Sequence, residues 1–360
     1  MALKMIQIGT GGHGYGWCRS FLPPNVEDGL IEVVAAVDTN PDVLINAKEG
    51  LGLPEDRLYT DVGRAMSENE ADFCTIVVPP WAHEEVANAA VAHNLHILSE
   101  KPIADTLEAS CRIADSVQQA GLKMGVTMSH RYDQDKWSLR DQIRNGGHGD
   151  LDYLMLRFTN DNRKYGSWGA FRHEIKDSLM VEGAVHQLDF MADLCGSKCQ
   201  TLFAQTWNPK WGEFKGDSQG LVMMRLENGT RAVYEGAKTN AAGFNGWGRD
   251  YVRAECEKST LILDKRHLEY HPHQPESATQ NAHEGSGTEI PLLEQDKWSI
   301  AWLVEQFAHW LNGGPPMETN VEDNLQSVAL VFAAIESSKT GQPVDVQEFL
   351  TKTRQEVVSP

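Results

Sequence analysis

Over the first 125 residues, short apolar runs take turns with longer amphipathic stretches. Residues 5–8, 31–37, 71–78, 95–98 and 123–126 read as strands buried on both faces. Pro79-Pro80 ends the 71–78 run, because proline cannot continue a hydrogen-bonded ladder. Helical patterns cover about residues 83–93 and 105–119, the second stopped by Gly121. This alternation predicts an α/β fold whose parallel sheet is doubly wound and takes its ligand at the carboxyl ends of the strands.

The rhythm then changes. A helix over 132–144 is cut by Asn145-Gly146-Gly147, and strand patterns follow at 151–158, 201–206, 221–226, 231–234, 252–256 and 261–264. One helix, about 179–194, interrupts them and stops at Gly196. These features predict a second, α+β domain with a largely antiparallel sheet. The polar stretch 272–288 reads as a loop, and two helices, about 298–311 and 321–338, end the chain. The expected domains are 1–126 and 127–360, and the terminal helices could pack back on the first.

At 360 residues two cores are the natural arrangement, and 41% hydrophobic with 23% charged residues describes an ordinary globule. With 32 basic and 51 acidic residues the formal charge is −19, which disfavours nucleic acid and anionic membranes as partners. No apolar stretch approaches a membrane span. The first strand begins within five residues of Met1, so no signal peptide and a cytoplasmic location are expected. Six scattered cysteines are read as reduced thiols; Cys195 and Cys199 lack a second pair to complete a zinc site. His267, His271, His273 and His283 are irregularly spaced in a polar segment read as a solvated loop, and no metal is expected.

The strand at 5–8 runs into Gly9-Thr10-Gly11-Gly12-His13-Gly14, a G-x-G-x-x-G turn. Gly9 permits the tight turn, Gly11 has no side chain to hold off a pyrophosphate, and Gly14 lets the next helix pack closely. Gly12 and His13 lie in the same turn and are expected beside the phosphates. Asp38 stands at the tip of the second strand, 24 residues after Gly14, where a carboxylate binds ribose hydroxyls and repels a 2′-phosphate. The expected cofactor is NAD, with NADP open if the acid swings away toward Thr39 and Asn40.

Two further groups carry candidate chemistry. Glu100-Lys101-Pro102 follows the fifth strand, at the rim where a nicotinamide is expected; Lys101 could donate to a substrate oxygen, or could equally be a surface lysine. On the 179–194 helix, Ala184, Leu188, Met191 and Cys195 form an apolar stripe, with Glu182, His186, Asp189 and Asp193 opposite. Carboxylates four before and three after His186 lie within side-chain reach of it and would raise its basicity. Periodicity alone favours a solvated acidic face carrying a lone histidine. Trp168, Trp207, Trp211 and Trp247 fall in the second domain, where indoles suit the C–H faces of sugars or a core.

The early glycine turn, E-K-P near residue 100 and an acid four residues before a histidine, in that order, resemble the Gfo/Idh/MocA oxidoreductases. Pro79-Pro80 followed by His83, Arg131 after the sixth strand and the terminal Thr340-Gly341-Gln342-Pro343-Val344 extend the resemblance over nearly the whole chain. It implies an NAD(P)-dependent dehydrogenase of a sugar or polyol, with Lys101, His186 and Glu182 catalytic. Glu182 stands where most members carry Asp, and would either polarise substrate or orient His186. Pro79, His83, Glu100 and Lys101 would line the cofactor, and Arg131 and Asp189, with Trp168 and Trp247, the substrate. Some relatives are glycosidases that keep NAD bound, and others are sensors without turnover. A homodimer or homotetramer is implied, the second sheet's open face being covered by another subunit.

Overall fold

The computed structural model describes residues 2–274 and 287–358. Its first compact unit comprises residues 1–129, 297–328 and 352–360. Six strands, β1 (Leu3–Ile8), β2 (Ile31–Val37), β3 (Leu58–Tyr59), β4 (Phe73–Ile76), β5 (His96–Ser99) and β6 (Met124–Val126), form one sheet. Their order is β3-β2-β1-β4-β5-β6, and every neighbouring pair is parallel. The strand order reverses between β1 and β4, the switch point where such sheets bind ligands.

The late segments join this unit through its edge strand. Val126 N–H donates to Thr319 O (2.9 Å), and Thr319 Oγ1 donates to Val126 O (2.7 Å). Without residues 317–320 the Val126 N–H would lose its partner, while Val126 O would keep the bond from Met128 N–H (2.9 Å). Arg354 reaches Asp115 (Nε to Oδ1, 3.0 Å) and Glu322 (3.0 Å). The terminal segment is a third late helix, Val346–Val358, beyond the two expected; they are Ser299–Leu311 and Val321–Thr340.

The second compact unit holds residues 130–296 and 329–351. Among the described residues its strands are β7 (Leu151–Thr159), β8 (Cys199–Trp207), β9 (Gln219–Leu226), β10 (Arg231–Ala237), β11 (Tyr251–Cys256), β12 (Ser259–Asp264), β13 (His267–Pro272), β14 (Thr288–Glu289) and β15 (Val344–Asp345). They pair in the order β14-β13-β12-β11-β7-β10-β9-β8-β15; β7–β10 is the one parallel pair. His267 and His271 belong to strand β13, a correction to the loop expected there, and pair with Glu269 (3.7 and 3.0 Å). His283 lies outside the described residues. Among the described residues no three His, Cys, Asp or Glu side chains are grouped to hold a metal. No described helix is long and apolar enough to cross a membrane.

The interrupting helix departs from expectation. It opens as a π-helical segment, Leu179–Ala184, and continues as an α-helix, Val185–Cys195, that packs on β7 and β10. Its polar stripe is not solvated: Glu182, His186 and Asp189 are 4%, 3% and 0% exposed. Arginines from outside the helix, Arg172 ten residues before Glu182 and Arg131 far upstream, cover the acids, so a helix polar along one face is nonetheless enclosed.

Candidate active site

The glycine turn is dictated by space. Gly9 has φ +90°, and a Cβ there would stand 2.0 Å from the Val77 carbonyl oxygen. A Cβ on Gly14 would stand 2.3 Å from Gly9 O. No larger residue fits either position without moving backbone. Gly12 also has positive φ (+53°) but faces open space. Asp38 braces the turn: Oδ2 accepts from the N–H groups of Thr10 (2.8 Å) and Gly11 (3.1 Å), and Oδ1 from that of Asn40 (2.9 Å). A bare-backbone cradle with a carboxylate at the second strand's tip suits a dinucleotide.

Glu100 ties the fifth strand to this turn. Its Oε1 accepts from Trp17 Nε1 (2.9 Å) and lies 3.1 Å from His13 Nε2, and its Oε2 is 3.3 Å from Lys101 N. Burial by itself would raise the Glu100 pKa, but the His13 bond and charge, with Lys101 and Trp17, hold it below the usual carboxylate range. The Lys101–Pro102 peptide is cis, and Lys101 is half-buried. Pro79 is exposed at the start of a 3₁₀ turn, Pro80–Ala82. His83 is 1% exposed, its ring nitrogens against Ile103 O (3.1 Å) and Val78 O (2.8 Å). Burial lowers its pKa, against the opposing effect of the two carbonyls. His83 thereby bridges the loop after β4 and the loop after β5.

In the second unit His186 stacks on His130, with ring centroids 4.5 Å apart and planes 25° off parallel. Trp247 meets His186 edge-on at 5.2 Å and His130 at 4.9 Å. The two acids near His186 in sequence are each engaged by an arginine. Glu182 Oε2 accepts from Arg172 Nε (3.0 Å). Asp189 accepts a bidentate pair from Arg131, Nε to Oδ2 at 2.7 Å and Nη2 to Oδ1 at 2.6 Å. Arg131 is 6% exposed. Arg131 also approaches Asp193 (3.8 Å), and the buried bidentate pair frames the helix. Trp168 is half-buried and packs on Lys238, whose Nζ is 3.8 Å from its ring centroid.

His130, Arg172 and Lys238 were not singled out by the sequence. His130 and Arg172 reach the cluster from segments far from His186, so no local spacing marks them. Lys238 had a signal: Ala232, Tyr234, Gly236 and Lys238 share one face by period two, and the first three are buried. Ending the strand at Tyr234 hid it.

Compared with known proteins, residues 3–128 match the model of an oxidoreductase family with an NAD-binding Rossmann fold, and residues 140–346 match that family's C-terminal alpha/beta domain. An uncharacterized protein of Sinorhizobium fredii, y4oX, is 50% identical over 354 residues, covering 98% of each chain. The inositol 2-dehydrogenase of Klebsiella pneumoniae is 31% identical over 356 residues, covering 96% of this chain and 97% of its own. Among solved structures, an oxidoreductase from Agrobacterium radiobacter in complex with NAD+, L-tartaric acid and magnesium superposes with a TM-score of 0.81 at 19% identity, covering 97% of this chain and 99% of its own. The chain therefore belongs to the Gfo/Idh/MocA family of oxidoreductases, with an NAD-binding Rossmann domain followed by the family's C-terminal domain.

Proposed function

We propose that the protein is an NAD-dependent dehydrogenase of a sugar or polyol, with His186 as acid/base and Lys101 polarising the substrate oxygen. The observation that carries this reading is the setting of His186. Its buried imidazole is met edge-on by Trp247, an indole that is itself 49% exposed. An exposed indole face beside a proton acceptor suits a ring with C–H faces and a hydroxyl to oxidise. The inositol 2-dehydrogenase relative supports a polyol substrate.

Bound NAD supplies the two-electron acceptor. The turn Gly9–Gly14 and Asp38 would hold it, with Pro79 and Lys101 on the neighbouring loops and His13 beside Glu100. Three N–H donors fix Asp38 in place, so moving it aside for a 2′-phosphate is costly, which favours NAD over NADP. His186 takes the hydroxyl proton on an imidazole nitrogen, and Lys101 donates a hydrogen bond to the oxygen as it becomes a carbonyl. Trp247 and Trp168 orient the ring, and holding the reacting carbon in place is the larger contribution. Glu182, held by Arg172, positions the helix segment that carries His186. A second copy of the chain covers the outer face of the nine-stranded sheet, where Leu221 and Met223 are 46% and 60% exposed, giving a homodimer or homotetramer.

The test is a panel of sugars and polyols, myo-inositol included, offered with NAD and with NADP and read by reduced-nicotinamide absorbance. The reading expects a rise with NAD for at least one compound. Release of an aglycone without net reduction would instead mark a glycosidase that uses NAD internally. NAD binding with no turnover across the panel would mark a sensor.

A further inference from the structure

We propose that Lys238 is a positioning residue for the substrate wall: its ammonium clasps Trp168 and Trp247, which two separate loops carry, and so fixes the indole that meets His186. This rests on the functional reading above. Lys238 is 1% exposed, an unusual place for an ammonium. Its Nζ lies 3.8 Å from the Trp168 ring centroid, 4.1 Å from that of Phe158 and 5.7 Å from that of Trp247. Cation–π attraction is strongest where the cation is desolvated, as here.

The root of the side chain is fixed independently. Lys238 N–H donates to Ser218 O (2.9 Å), and its carbonyl accepts from Asn162 N (2.6 Å). The indoles are held less firmly by their own backbone. Trp247 sits between Gly246 and Gly248, the latter at φ +71°, and Trp168 lies between Gly166 (φ +80°) and Gly169 (φ +90°). Glycine-flanked turns leave the direction of a large side chain to its contacts. Arg172 also packs on Trp168 (5.2 Å), and the two histidines and Phe158 on Trp247, but Lys238 is the cation shared by both indoles and ties one to the other. Phe158 from β7 forms the floor and touches Trp247 at 5.8 Å. The substrate wall therefore depends on a residue that itself has almost no exposed surface.

The test compares K238M, which keeps the stem and drops the charge, with K238R, which keeps a charge that packs on aromatic faces. Each is measured in the full-length enzyme with NAD. In K238M the NAD dissociation constant is expected to stay within twofold. KM for the best compound of the panel is expected to rise at least tenfold, with kcat changing less than threefold, and the near-UV tryptophan dichroism to weaken. K238R is expected to restore KM to within threefold of the parent. Unchanged KM and dichroism in K238M would overturn the clasp, as would a K238R no better than K238M. Should K238M lose NAD binding through misfolding, K238R decides: a tenfold rise in its KM overturns the proposal. If no compound in the panel is oxidised, the dehydrogenase reading fails instead, and the dichroism alone tests the clasp, an unchanged K238M spectrum overturning it.

Discussion

The glycine turn of the first unit and the histidine cluster of the second are built by opposite means. The turn is made of backbone: its shape is dictated by where a Cβ cannot go, and its brace, Asp38, bonds to main-chain N–H groups. The cluster is made of side chains. His130 and Trp247, from separate segments, meet the His186 ring, and Phe158, Trp168 and Lys238 pack behind Trp247 and beside one another. A backbone site tolerates no change at a few positions and is indifferent elsewhere. A side-chain site spreads its requirements thinly and can be retuned one residue at a time.

Substitutions can break or sharpen that contrast. The largest effect is expected from H186N, which removes a general base worth about 10²–10⁴ in rate, while NAD affinity stays within twofold by titration. Unchanged turnover would remove His186 from the mechanism. R131M leaves Asp189 buried without its bidentate partner and is expected to cost about 3–5 kcal/mol in denaturant unfolding. A loss below 1 kcal/mol would show that the pair does not frame the helix. In the turn, G9A forces a Cβ against Val77 O, whereas G12A has strained φ but open space. G9A should therefore be the less stable of the two by about 1–3 kcal/mol, the usual cost of overpacking, and should lose NAD binding. Equal stabilities would mean that the turn is not set by space.

The smallest effect concerns Glu100. Its folded-state pKa lies below the ordinary value of 4.5, so its contribution is present above pH 4.5 and is lost as pH falls through the folded value. E100Q is expected to lose about 1–2 kcal/mol at pH 7 and to show a flatter acid limb than the parent in thermal melts. Parallel acid limbs would show that the carboxylate is not stabilised by His13 and Trp17.

The same contrast explains what was legible in the sequence. Alternating strands and helices, the glycine spacing and Asp38 are local patterns, and the parallel sheet follows from them. The largely antiparallel second sheet was also readable, from alternation and turn residues such as Asn228-Gly229. The partners of Glu182 and Asp189 were not, because Arg172 and Arg131 lie 10 and 58 residues away in sequence and their approach is a tertiary event. Periodicity identified the polar stripe of that helix but could not tell a solvated face from one buried under arginines. The contacts of His83 were equally illegible: its ring nitrogens meet Ile103 O and Val78 O, and no local spacing marks the first of these.

The most direct test of the central claim is reduced-nicotinamide absorbance on mixing the purified protein with NAD and the sugar and polyol panel, run in parallel with H186N. The account expects absorbance to rise with at least one compound for the parent and to stay near baseline for the variant at equal NAD occupancy. No NAD binding by the parent, or equal rates from the two proteins, would contradict it.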